Sequence, residues 1–262
     1  MMPKLKESKK GSRGMQKPIK RIENIRMIDQ IPKPKRDKVI LMGSGKSIDN
    51  VVLSSLKGQK EYDILAITDA IKMFNPGVMA TYTINYHYDG LRRIKEFLHL
   101  SKYVILPKGI FEFHIQKWER LNRNIDVERI NEMVDAVNKA DNCYYFISPN
   151  LKSIQVERGE FNKEFIDNTI YQAQGSAVGA FYFLVAAMRY KEIYYIGFDG
   201  SKPNSKRDDF EYGKRSFHPR KEHKIVNAGK SYQNSWHNLS IMRSFYPDLR
   251  FKPFNDVRYI IQ

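Results

Sequence analysis

Two kinds of apolar pattern alternate along this chain. Short runs of four or five apolar residues, each stopped by glycine or a small polar residue, are separated by stretches with apolar positions three and four apart. The first kind reads as strands buried on both faces, the second as helices laid on a core. Lys38–Met42 is the first such strand, and Gly43 ends it. Ser47–Leu56 follows as a helix, with Ser47 as N-cap and Ile48, Val51, Val52 and Leu56 on one side. Further strands read at Asp63–Ile67, Val78–Ile84, Tyr103–Leu106 and Cys143–Ile147, with helices at Leu91–Leu100 and Ile125–Ala140. Ala177–Tyr190 is apolar around most of its circumference, so it reads as a buried helix running into a strand at Glu192–Ile196, closed by Gly197. A helix over Ser231–Phe245 and a strand over Leu249–Phe254 complete the pattern. The alternation predicts an α/β chain with a Rossmann-like parallel sheet and helices on both faces.

Residues 1–37 break this pattern. They are rich in Lys, Pro and Gly and carry no sustained apolar period, which reads as a flexible basic arm with one short helix around Ile22–Ile28. The boundary therefore falls at 37, with one domain over 38–262, and the arm is expected to be removable without unfolding that domain. The arm holds twelve Lys/Arg against four Asp/Glu, a surplus of eight and half of the net charge of +16. Such a surplus favours polyanionic partners: nucleic acid, an anionic membrane surface or phosphorylated substrates. A solubilising tail would have the same composition. With 42% apolar residues the chain can bury a core, and its one cysteine, Cys143, can make no internal disulfide. The longest apolar run, Val178–Met188, is too short to span a bilayer, and the N-terminus has no apolar signal segment. A cytoplasmic protein is the expectation.

Small and polar residues gather where the predicted strands end. Gly43-Ser44-Gly45-Lys46-Ser47 links the first strand to the first helix, where glycines permit close approach and helix-start amides attract an anion. It is not a P-loop, because the position five before Gly45 is Ile40, and not a dinucleotide fingerprint, because the third small residue is replaced by Ile48. Thr68-Asp69 ends the second strand and Asn85 follows the third, as expected of residues holding a ribose or base, although each is also an ordinary turn residue. Gln174-Gly175-Ser176-Ala177 opens the buried helix, where Ser176 serves equally as an N-cap. Gly197-Phe198-Asp199-Gly200 leads into a long basic loop containing Asp208, Asp209, Tyr212, Lys214, Arg215, His218, Arg220, Lys221 and His223. Histidine is the usual general base near neutral pH, and Lys, Arg and Tyr stabilise a departing phosphate. Such a loop reads as an active-site lid or as a solvated surface segment. Asp208-Asp209 has no second acidic cluster to complete a metal site, so no metal is expected. His87, His99, His114 and His237 are scattered and most read as structural, although His87 lies close to Asn85.

The block Ser176–Asp199, ending Tyr190-Lys-Glu-Ile-Tyr-Tyr-Ile-Gly-Phe-Asp199, resembles the bacterial sialyltransferases of the Campylobacter lipooligosaccharide type. It is also similar to the related hydroxymethylpterin diphosphokinase-like Rossmann proteins, and Gly43–Ser47 resembles the Gly-x-Gly-Pro-Ser turn that opens both. The resemblance implies a metal-independent glycosyltransferase with no cofactor beyond its nucleotide-sugar donor. It implies that Ser44, Thr68 and Asn85 stand where three asparagines line the nucleotide, with Gly43, Gly45, Gly175, Ser176 and Ala177 shaping the pocket. It implies a general-base histidine beyond Gly197 and Asp199, so His218 or His223, with Tyr212, Lys214 and Arg215 receiving the phosphate. Two of the three asparagines are changed and Lys46 replaces proline, which leaves the donor's base and sugar open. The basic arm lies outside the family pattern and suits an anionic acceptor, a DNA or RNA bearing a hydroxymethylated base, as a viral DNA-modifying enzyme would use, or a glycan. A pterin-type diphosphotransferase using ATP and magnesium is the alternative enzyme. A non-catalytic nucleic-acid-binding protein is the alternative from another class.

Overall fold

The computed structural model describes residues 18–45, 47–48, 53–73, 79–86, 91, 93–120, 125–149, 161–171, 176–198 and 237–259. Among these residues seven strands form one sheet: β1 Lys38–Met42, β2 Asp63–Ile67, β3 Ala80–Ile84, β4 Ser101–Pro107, β5 Cys143–Phe146, β6 Glu192–Ile196 and β7 Arg250–Pro253. Every pairing is parallel and the order is β5-β4-β3-β2-β1-β6-β7. From β1 the chain steps outward in one direction as far as β5, then returns to lay β6 on the other side of β1. Each strand shows its alternate residues to one of two apolar layers.

On one layer, Ile40, Met42, Ile64, Ala66, Val104 and Leu106 meet α1 (Ile94–Leu100), α2 (Ile110–Arg120) and α3 (Val127–Asn138). On the other, Val39, Leu41, Leu65, Ile67, Tyr82, Ile84 and Ile105 meet α4 (Ser176–Tyr182) and the helical residues 237–244. Reversing the direction of travel reverses the face on which a crossover packs, which puts helices on both sides. The predicted α/β architecture is the observed one.

Several elements differ from the pattern reading. The α2 helix is absent from the pattern reading, although Phe111, Ile115 and Trp118 stand four and three apart, the spacing of one helix face. Of the helix expected over Ser47–Leu56, the described part at Leu53–Leu56 is a 3-10 turn, closed by Gly58 in a left-handed conformation (φ 73°). β4 starts two residues early, at Ser101, because that side chain is buried and its Oγ meets Thr83 Oγ1 at 2.5 Å. The helix read as Ala177–Tyr190 changes after Tyr182 into a π-helical turn, Phe183–Ala187, in which the Met188 amide reaches the Phe183 carbonyl at 3.0 Å.

The largest correction concerns the N-terminal arm. Residues 18–37 are not a free arm; they form a belt around the sheet. Ile19 and Ile22 pack on the α3 layer, where Lys20 pairs with Asp135 and the Asn138 side chain is bracketed by the Arg21 carbonyl and the Glu23 amide. At the β5 edge the Tyr145 amide donates to the Arg26 carbonyl at 2.8 Å, and Met27 bridges Tyr145 in parallel register. The belt then crosses to the other layer, burying Ile28 and Ile31 to 0% and 1% exposure. The helix expected around Ile22–Ile28 is a 3-10 turn at Ile28–Gln30 instead. Two isoleucines three apart in a stretch with no sustained apolar period are too sparse a signal to reveal a core contribution.

The belt ends in a buried polar cluster at the amino edge of the sheet. Lys33 Nζ caps the Ala187 carbonyl at 2.5 Å, and Arg36 pairs with Asp63 at 2.8 Å. Asp63, 7% exposed, also accepts from Thr81 Oγ1 at 3.1 Å and from the Tyr190 hydroxyl at 2.5 Å. Burial keeps the Tyr190 and Tyr82 phenols protonated well above their ordinary range, so Tyr190 remains a donor to the carboxylate. At the far side, Arg258 bonds both Glu61 and Asp256, and Asp256 accepts from Tyr62; Arg258 holds the Asp256 carboxyl down at about 2.

Candidate functional site at the carboxyl edge

Where strand order reverses beside β1, the crossovers leave on opposite faces, and α/β sheets bind ligands beyond the strand ends at such a point. Here that point lies between β1 and β6. The turns after β1, β2 and β3 carry Ser44, Thr68 and Asn85 side by side. With neighbouring strands about 4.8 Å apart, the three span roughly 10 Å. α4 runs back over β2 from this edge, so Ser176 and Ala177 stand at the same end of the sheet. Ser44, Thr68 and Ser176 are half-buried. Asn85 is enclosed (0% exposed), and its amide continues the β3–β4 ladder to the Ile105 carbonyl at 3.0 Å.

The first turn is built differently from the expectation of free amides. The Gly43 amide donates to the Ile196 carbonyl and the Gly45 amide to the Gly197 carbonyl, both at 2.8 Å. The Gly197 amide in turn donates to Ser47 Oγ at 3.0 Å, so that hydroxyl closes the β1–β6 seam. Two of the turn's amides are therefore spent on the protein itself. What Gly43 and Gly45 give the site is shape, and Ser44 carries its side-chain chemistry. A Cβ on Gly43 would collide with the Gly197 carbonyl, and one on Gly197 with the backbone of Gly43. Gly197 also holds φ 78°.

This seam yields a paired prediction. Gly58 shares the left-handed conformation (φ 73°), but a Cβ added there would meet nothing within 4 Å, so Gly58→Ala incurs only the conformational penalty, about 1 kcal/mol. Gly197→Ala adds a backbone collision and should cost at least about 2–3 kcal/mol. Urea midpoints of the two variants measure the difference; equal losses would mean that the seam yields freely.

Thr68 is the second feature absent from the sequence pattern. It has φ 45°, a conformation that a β-branched residue adopts only when its surroundings hold it there. Asparagine tolerates this region far better. Thr68→Asn should therefore raise the melting temperature, by about 2 °C for roughly 0.5–1 kcal/mol of relieved strain. A lower melting temperature would show that Thr68 carries no such strain.

Gly175, Asp199, Tyr212, Lys214, Arg215, His218 and His223 lie outside the described residues. Among the described residues, no three His, Cys, Asp or Glu side chains gather as a metal site would require, and no helix is long and apolar enough to cross a membrane.

The fold and this edge define an α/β chain with a seamed switch point and polar strand ends. No known family model matches the sequence, and no curated protein matches it either. Among solved structures, it is similar to the monofunctional α-2,3-sialyltransferase Cst-I of Campylobacter jejuni. The two share 15% identity, with 90% of this chain and 81% of that one covered and a TM-score of 0.45. It is likewise similar to the sialyltransferase CstII of Campylobacter jejuni in complex with the substrate analogue CMP-3FNeuAc. There the identity is 15%, the coverage 82% and 79%, and the TM-score 0.44.

Proposed function

We propose that this protein is a glycosyltransferase that takes a sugar from a nucleotide-activated donor at the carboxyl edge of its sheet. The observation that supports the reading most is the row Ser44, Thr68 and Asn85 at three adjacent strand ends, beside the switch point and the start of α4. In this reading Ser44, Thr68, Asn85 and Ser176 hold the nucleotide by short polar contacts. Tyr212, Lys214 and Arg215 neutralise the phosphate as the glycosidic bond breaks. His218 or His223 takes the proton from the acceptor hydroxyl, and Asp199 is the next candidate base. No metal or further cofactor is required by this set of groups. An anionic acceptor, DNA or RNA included, suits the charge of +16.

A thermal-shift series with CMP, UDP, GDP and ATP, each with and without magnesium, tests the reading. A ligand of the native state at a hundred times its Kd adds about 2.7 kcal/mol of stability. Stabilisation by a nucleoside mono- or diphosphate without magnesium is the expected outcome. A shift with ATP and magnesium alone would point to diphosphotransfer, and none at all, with salt-sensitive DNA binding, to a binding module.

A further inference from the structure

Tyr86 stands two residues past the end of β3, next to Asn85. It is 9% exposed and shares the α4-side apolar layer with Ile84, Phe146 and Ala177. Its ring meets Phe146 edge-on, with centroids 5.7 Å apart. Its hydroxyl oxygen is closed off from solvent and has no hydrogen-bond partner among the described residues. Two other buried phenols of this layer are treated differently. Tyr190 donates to Asp63 and Tyr182 to the Glu164 carbonyl at 2.7 Å. Burying an unmatched hydroxyl costs stability that phenylalanine, of the same shape, would not incur. Phenylalanine would serve the packing on Phe146 equally well. Folding alone gives no reason for the oxygen, whereas its place under the carboxyl edge does.

We propose that the Tyr86 hydroxyl is a ligand-binding group of the candidate site: ligand binding opens the packing around it, and it donates a hydrogen bond to a sugar or phosphate oxygen of the bound nucleotide-sugar. The proposal rests on the glycosyltransferase reading and adds a residue to it. Burial holds the phenol protonated throughout the neutral range, so the group acts as a donor.

The test compares wild type and Tyr86→Phe by calorimetric titration with CMP, or with whichever nucleotide stabilises the wild type, alongside thermal melts without ligand. The expected result is about ten-fold weaker binding, with a melting temperature unchanged or raised by roughly 2–4 °C. Equal affinity in the two proteins overturns the inference and leaves the nucleotide reading intact. A lower melting temperature also overturns it, since the hydroxyl would then have a structural partner. Failure of the wild type to bind any nucleotide removes the reading itself, and the role of Tyr86 with it.

Discussion

A chain that starts at residue 38 is expected not to fold cooperatively, whereas one that starts at residue 18 should melt close to the full-length protein. The reason is the belt. Ile28 and Ile31 are buried to 0% and 1% exposure in the layer that also holds α4. Removing a buried isoleucine side chain down to alanine costs about 2–5 kcal/mol, and truncation takes both away entirely. It also strips Arg36 from Asp63, leaving a carboxylate only 7% exposed to face the Thr81 and Tyr190 hydroxyls without its cation. Breaking a buried pair from one side costs a further few kcal/mol. The sum approaches the whole stability of an ordinary domain, roughly 5–15 kcal/mol. Removal of the β5-edge contacts from Arg26 and Met27 would in addition expose an edge strand. Circular dichroism melts of the 18–262 and 38–262 chains decide the matter; a cooperative transition for 38–262 within a few degrees of wild type would refute it. Of the six Lys/Arg in residues 18–37, Lys20, Arg26 and Arg36 are held in ion pairs. The six in residues 1–17 should accordingly carry most of the arm's polyanion affinity, read as a reduced salt dependence of DNA binding in the 18–262 chain.

The second large effect is on catalysis. His218→Ala should lower kcat by about 10²–10⁴-fold while leaving nucleotide affinity within a few-fold, which is the contribution of a general base. The segment that carries it follows Gly197 in the chain, and the Gly197 carbonyl accepts from Gly45 in the turn that holds Ser44. Among its side chains only histidine titrates near neutrality without special burial. Pro219 restricts the backbone of His218 to extended forms and favours it over His223. Turnover and nucleotide binding measured for both alanine variants separate the roles. Full activity in both would move the base elsewhere, to Asp199 first.

Class of fold, strand positions and the sign of the charge were determined by the sequence alone. Buried parallel strands carry near-continuous apolar runs, and after a charged first residue β1, β2 and β6 do, so their limits fall where the pattern puts them. Polar residues at strand ends were legible for the same reason, since an apolar run has to stop where the sheet does. Contacts between distant segments left no such trace. Gly43 and Gly197 lie far apart in the chain, and only pairing of β1 with β6 shows that each glycine makes room for the other's backbone. The same pairing consumed the amides that the turn alone offered to a phosphate. Ile28 and Ile31 looked like part of a charged tail until the belt carried them across the β5 edge. The strained Thr68 and the enclosed Tyr86 hydroxyl are likewise invisible in a string of letters, because backbone conformation and hydrogen-bond partnership at a single residue are set by what packs around it.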